Sequence, residues 1–202
     1  MERRDFLRGL AGAAGLPFLP GGAHALTPAA APTPDDWQAA FDRHRAEHPW
    51  QIGFEGLQAD VAPMPLKLHG RLPPELRGAF LRNGPARHTL GGQRYHHWFD
   101  GDGMVQKYEI GAGGIVHRGR FVRTEKFEAD SAAGRPVRAA FGTFPPGMDP
   151  ITSPDSINVA NTSLVSHGGE FLALWEGGSA TRVDPASLNT LGVKTWTADY
   201  AG

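Results

Sequence analysis

Tyr95-His96-His97-Trp98-Phe99-Asp100-Gly101-Asp102-Gly103-Met104-Val105 crowds aromatic and imidazole rings, two aspartates and two glycines into one short run. Asp-Gly is a strong turn dipeptide, because glycine accepts φ > 0 and aspartate hydrogen-bonds its own local backbone. The run therefore predicts an aromatic strand, a tight Asp/Gly turn and a return strand starting at Met104. Short apolar runs divided by turn residues continue on both sides. With 27 glycines and 17 prolines placed between such runs, the chain reads as an all-β, turn-rich domain.

Downstream, Met104–Tyr108 and Gly114–Val122 read as paired strands around Gly111-Ala112-Gly113-Gly114. Upstream, Leu66–Gly70 alternates like a strand, Leu72–Leu76 is a proline-stiffened turn, and Gly78–Arg82 is a short buried strand ending at Asn83-Gly84-Pro85. Thr143–Asp155 is a long Pro/Gly loop. Asn161–Ser166 and Glu170–Glu176 make a hairpin turned by His167-Gly168-Gly169, and Arg182–Pro185 with Leu188–Gly192 makes another. Together these two hairpins have the layout of one four-stranded propeller blade.

Lys and Arg total 20 against 21 Asp and Glu, with the signs interspersed, which gives no electrostatic footprint for nucleic acid. The absence of cysteine excludes disulfides, zinc-thiolate sites, iron–sulfur clusters and a thiol nucleophile. At the N-terminus, Arg3-Arg4-Asp5-Phe6-Leu7-Arg8, a Gly/Ala-rich run to Leu19 and Ala23-His24-Ala25 have the form of a twin-arginine export signal. Residues 1–25 are thus expected to be a signal peptide and the protein periplasmic or otherwise exported. Residues 26–35 read as a Thr/Pro/Ala-rich linker. Asp35-Asp36-Trp37 opens a short helix ended by Pro49, with Trp37, Ala40 and Phe41 on one face. His44 and His48 lie four apart at its end; taken as a pair, they read as solvated surface histidines.

Leu72-Pro73-Pro74-Glu75-Leu76-Arg77-Gly78, Arg82-Asn83-Gly84-Pro85, Trp98–Met104 and Arg120-Phe121-Val122-Arg123-Thr124 closely resemble the motifs of the carotenoid cleavage oxygenase (retinal pigment epithelial membrane protein) family, in the same order. The Asn161–Glu176 hairpin adds to the match, so the resemblance runs from about Leu66 to Gly202, and 36–202 is taken as the N-terminal portion of such a propeller. It implies a seven-bladed β-propeller around a non-haem Fe(II) held by four histidines, three of them oriented by glutamates, and cleavage of a conjugated C=C bond by O₂ into two carbonyl products. Neutral imidazoles suit Fe(II), and carboxylates behind them fix the tautomer. A blade takes ~40–50 residues, so 26–202 is a partial propeller of roughly three or four blades' worth.

The resemblance also assigns roles. Glu176 matches a glutamate that hydrogen-bonds a ligand histidine, and Thr162 matches a threonine whose methyl crowds the iron's vacant side. The family's first ligand lies in a Thr-Ala-His-Pro segment soon after the hairpin that here runs Asp184–Leu191, and no histidine follows His167. All four iron ligands are therefore expected beyond Gly202, and the 202-residue chain is expected to be inactive alone. His167 reads as a turn residue, and His96 and His97 as structural neighbours on opposite faces of a strand.

The implied partners are a lipophilic polyene and O₂, together with a membrane surface from which the substrate is extracted, although no stretch here forms an evident membrane-dipping patch. The residues assign no oligomeric state. A stilbene-cleaving branch of the family carries a lysine at about the position of Thr162 and a tyrosine near Phe121; Thr162 and Phe121 lean instead towards carotenoids or apocarotenoids. The alternative outside enzymology is a non-enzymatic partial propeller serving as a binding or interaction protein, with unpaired strand edges needing cover.

Overall fold

The structure, a computed structural model, describes residues 34–197. The expected signal peptide and the linker up to residue 33 lie outside the described residues. Helix α1 (Pro34–Glu47) carries acidic residues at its start and His44 and Arg45 in its last turn, matching the helix dipole. Trp37 stacks on His96 at 4.5 Å and Phe41 lies under the Arg94 guanidinium at 3.4 Å, which fastens α1 to the segment before the Asp/Gly run. A 3₁₀ turn, Pro49–Phe54, follows. Among the described residues no helix is long and apolar enough to cross a membrane.

Two four-stranded antiparallel sheets dominate the rest. The first has the order β1 (Val61–Pro65), β6 (Gly114–Phe121), β5 (Asp102–Gly111), β2 (Gly78–Arg87). The second is a meander of β7 (Ser163–His167), β8 (Glu170–Leu174), β9 (Thr181–Val183) and β10 (Thr190–Val193), the four-stranded unit expected from the two C-terminal hairpins. Gly168 and Gly169, both at positive φ, turn β7 into β8 with His167 paired to Glu170. A two-stranded ribbon, β3 (Thr89–Leu90) and β4 (Gln93–Arg94), completes the strands. Length alone suggested more sheets; helices and the long loop over 134–162 take up the difference.

Strand alternation sets the core. Val105 and Val122 face Ala160, Ala173, Val183 and Leu188 on the side of the second sheet. Their neighbours Met104 and Phe121 face the other way, onto Ala86 and Phe127. Phe127 belongs to helix α2 (Glu125–Ala133), which the sequence reading did not anticipate. Its signals are local: Thr124 accepts a hydrogen bond from the Phe127 N–H, Glu125 and Glu128 lie in the first turn, and Gly134 stops the helix at φ 66°.

Several local expectations are corrected. The aromatic run is not a strand: Trp98–Asp100 is a 3₁₀ turn in which His97 Nδ1 accepts from the Phe99 N–H and Asp100 accepts from the His97 N–H. The first edge strand is Val61–Pro65 rather than Leu66–Gly70. Strand β2 continues through Asn83-Gly84-Pro85, because Asn83 Nδ2 is held across the sheet junction by the carbonyls of Ala160 at 2.7 Å and Ser163 at 3.2 Å.

The Asp/Gly pairs serve packing instead of a turn. Gly101 is extended (φ −61°, ψ 130°). A Cβ there would meet the His88 ring at 2.6 Å. A Cβ on Gly103 would lie 2.1 Å from the Ala160 carbonyl oxygen and 2.8 Å from that of Val159, both backbone atoms. Gly103→Ala is accordingly expected to lower the unfolding free energy by about 1–3 kcal/mol, as overpacking does. A urea-unfolding curve superimposable on that of the parent chain would refute the close-approach reading.

Candidate functional site

Where β2 meets the entrance to β7, a cavity of about 220 Å³ opens. One wall is Arg82, Asn83, Gly84 and Pro85 of β2, another is Trp98 and Phe99 of the 3₁₀ turn, and Asn161, Thr162 and Glu176 complete it. Sequence reading named Thr162 and Glu176 separately; the fold brings them together. Thr162 Oγ1 donates to Glu176 Oε2 at 2.8 Å. The β7–β8 pairing produces this contact, because the Thr162 N–H donates to the Leu174 carbonyl at 3.0 Å and so aligns the residues just outside the two strands.

The framework around the pair is rigid. Asn161 Nδ2 donates to the carbonyls of Phe99 and Gly101, both at 2.7 Å, tying the 3₁₀ turn to the start of β7. Asn158 Oδ1 accepts from the Ala160 N–H at 2.9 Å and supports Ala160 at φ 43°, a left-handed conformation rare for alanine. Asp100, fully buried, accepts from the Gly142 N–H at 2.9 Å and the Thr143 hydroxyl at 2.7 Å. Sequence reading missed Asn83, Asn158, Asn161 and Asp100 as positioning residues, since each acts on a partner in a distant or non-strand segment.

Beside the cavity the rings of Trp98, Phe99, His97 and Phe141 touch one another, with centroids 4.5 Å apart for Trp98–Phe99 and 5.1 Å for His97–Phe141. Trp98, Phe99 and Phe141 are nonetheless 51%, 46% and 65% exposed, so an apolar aromatic surface lies next to a carboxylate. Phe121 contributes nothing here: it is buried in the core and stacks on Phe127 at 5.2 Å. Of the two positions used to lean towards polyenes, only Thr162 lines the cavity. His167 is the last residue of β7, just before the glycine turn rather than in it, with its ring against Trp196, and His96 and His97 belong to a loop and a cap rather than to a strand.

The cavity presents one carboxylate and no imidazole. The Asn83 Oδ1 beside it is buried and has no hydrogen-bond donor among the described residues. This lining by itself holds no iron; its one carboxylate fits the part of an acceptor for the N–H of an imidazole that would hold one.

A second, larger groove of about 610 Å³ runs between α1, the 3₁₀ turn after it and the segment 94–98. His88, at its floor, is 3% exposed; burial, reinforced by the nearby Arg94 charge, lowers its pKa to about 4, so the ring is neutral at physiological pH. His44 lies on the rim of the same groove. Glu47, between His44 and His48 in sequence, brings its carboxylate to within 4.8 Å of both imidazoles. The pair-only reading of the two histidines passed over this glutamate, although His-x-x-Glu-His is written in the sequence.

Comparisons with known proteins find relatives of similar sequence and fold. The family model described as retinal pigment epithelial membrane protein matches residues 54–201. An apocarotenoid-15,15'-oxygenase from Synechocystis is 34% identical over 80% of this chain and 31% of its own length. Beta,beta-carotene 15,15'-dioxygenase from Homo sapiens is 31% identical over 65% of this chain and 26% of its own. Isoeugenol monooxygenase from Pseudomonas nitroreducens is 33% identical over 67% and 28%. A solved structure of the Synechocystis apocarotenoid oxygenase superposes with a TM-score of 0.61 at 32% identity, covering 72% of this chain and 31% of that one.

That structure is itself a variant at a glutamate, and others of the same oxygenase include a second variant there, a cobalt-substituted form, and variants at the tryptophan directly before the glutamate and at a threonine fourteen positions before it. Trp175, Glu176 and Thr162 have the same identities and spacing. The chain spans less than a third of the length of these relatives. It belongs to the retinal pigment epithelial membrane protein family, the family of the carotenoid oxygenases.

Proposed function

We propose that this chain supplies part of an Fe(II)-dependent oxygenase that cleaves a C=C bond of a carotenoid or apocarotenoid with O₂ to give carbonyl products. The observation that carries the reading is the Thr162–Glu176 hydrogen bond at the cavity, at the spacing of the threonine and glutamate varied in the Synechocystis apocarotenoid oxygenase. In this reading the two four-stranded sheets are successive blades of a seven-bladed propeller. The iron-ligating histidines are not among the described residues, and the described part alone is inactive. Export through the twin-arginine signal at residues 1–25 and contact with a membrane surface belong to the same proposal.

When bound, iron supplies activation of O₂. The residues present would orient the groups that hold it. One Glu176 oxygen is engaged by Thr162, and its carboxylate would accept the N–H of a ligand imidazole, setting that ring's tautomer and orientation. The same bond locks the Thr162 side chain, methyl included, in one rotamer. The exposed Trp98–Phe99–Phe141 surface offers an apolar path for a long hydrocarbon substrate.

The test uses protein expressed from its complete gene and loaded with iron, assayed for O₂-dependent cleavage of an apocarotenal. Glu176→Gln is expected to lower kcat/KM by about 10–100-fold, the usual cost of removing a group that orients a metal ligand. Undiminished turnover in this variant would remove Glu176 from the site. The likeness to isoeugenol monooxygenase supports a second substrate reading, a phenylpropene. Cleavage of isoeugenol without cleavage of any polyene would replace the first.

A further inference from the structure

We propose that the last turn of α1 is a binding site for a divalent first-row transition ion, held by His44, Glu47 and His48. The three positions are i, i+3 and i+4, which a helix brings onto one face. One ligand atom from each lies within 4.8 Å of the others, a separation that small side-chain rotations reduce to the roughly 3.4 Å between two donors sharing one tetrahedral ion. The helical hydrogen-bond pattern reaches His48, whose N–H donates to the His44 carbonyl at 2.8 Å, while its own φ of −128° and ψ of 79° leave the helix. The two imidazole planes lie 12° from parallel with centroids 6.4 Å apart, so the rings are near neighbours.

The local electrostatics favour a cation. The carbonyl end of a helix carries partial negative charge. Glu47 has no ion pair within 4 Å among the described residues, because the adjacent cation, Arg45, is engaged by Glu55 at 2.9 Å. All three ligands are exposed, so an ion reaches them without rearrangement of the fold.

Two imidazoles and a carboxylate form the donor set that also holds Fe(II) in many oxygenases. Here, however, the donors come from one exposed turn, and nothing shields the site from competing ions. Intrinsic affinity then decides, which ranks Cu²⁺ first and places Zn²⁺ ahead of Fe²⁺. Three protein ligands leave at least one position open. Since His44 also lines the 610 Å³ aromatic groove, that open position adjoins the groove's rim. The inference shares no residue with the Thr162–Glu176 cavity and stands or falls without it.

The experiment titrates the full chain with Zn²⁺ by calorimetry and with Cu²⁺ by electron paramagnetic resonance. The expected result is one site that His44→Ala or His48→Ala weakens by at least about tenfold, no less than the loss of a group behind a ligand would. The double variant loses the site, and Glu47→Gln weakens it less. The Cu²⁺ spectrum of the parent chain shows coupling to two imidazole nitrogens, and each single histidine variant shows one. Because other histidines can bind metal weakly, the difference between parent and double variant is decisive. Equal Zn²⁺ affinity and an unchanged nitrogen count in His44→Ala/His48→Ala would overturn the proposal. His44→Gln/His48→Gln, which keeps polar side chains at these exposed positions, serves the same comparison should the alanine variant misfold.

Discussion

Asp102→Ala is expected to destabilise the fold by about 3–5 kcal/mol, the range for breaking a buried ion pair from one side. Asp102 is 1% exposed and accepts from Arg87 Nε at 2.7 Å, the Tyr95 hydroxyl at 2.9 Å and Lys126 Nζ at 3.3 Å. Lys126 is equally buried and also reaches Asp130 at 2.7 Å. Asp130 in turn accepts from the backbone N–H groups of Val137 and Arg138. Two cations and two carboxylates thus balance inside the protein. Burial works against the charge on Lys126, but Asp102 and Asp130 outweigh it, and its pKa is raised. Burial and the Asp102 charge push Tyr95 the same way, so the phenol stays neutral.

Removing Asp102 leaves two buried cations facing one carboxylate. Removing Lys126 as well restores the balance, so Asp102→Ala/Lys126→Met should lose less than the sum of the two single changes. Urea unfolding of the four proteins measures this. A single-variant loss below about 1 kcal/mol, the typical worth of an exposed pair, would show that the cluster is hydrated rather than buried.

Acidification is expected to act through His88. Its pKa is about 4 in the folded protein against the ordinary 6.5, because burial, helped by Arg94, disfavours the imidazolium. Between those two values the unfolded chain binds a proton that the folded chain does not. Stability therefore falls as pH drops through that window, while above 6.5 both states are neutral and the effect vanishes. The full loss is on the order of 3 kcal/mol, the difference between the two pKa values at 1.36 kcal/mol per unit. Unfolding free energies at several pH values between 7 and 4 should slope steeply for the parent and flatten for His88→Gln. Parallel slopes would exclude His88 as the source, and the carboxylates common to both proteins cancel in the comparison.

His88 and Asp102 show why the Asp/Gly run was misread. Its turn signal is genuine as a local preference, but the two carboxylates are used elsewhere. Asp100 holds Gly142 and Thr143, and Asp102 holds Arg87 and Lys126. Its glycines are required because the His88 ring and the Ala160 carbonyl occupy the space a Cβ would need. A run whose partners lie tens of residues away cannot be decoded from its neighbours. Strand β2 runs on through Asn83-Gly84 for the same reason: the asparagine's partners are on Ala160 and Ser163. Helix α2, by contrast, carried its cap, its acidic first turn and its terminating glycine in plain sequence, as did the His44-Glu47-His48 turn.

By itself the sequence determined the features whose causes are local. These are the β5–β6 and β7–β8 hairpins with their glycine turns, the β9–β10 hairpin with its Asp184-Pro185 turn, the helix that stops at Pro49, and the family, through motifs in a set order. Tertiary structure alone decided which way the Trp98–Gly103 run faces, that Phe121 belongs to the core and not to the cavity, and that Thr162 bonds Glu176. Burial, close approach and pairing between residues far apart in the chain set these outcomes, and they exist only once the two sheets have packed.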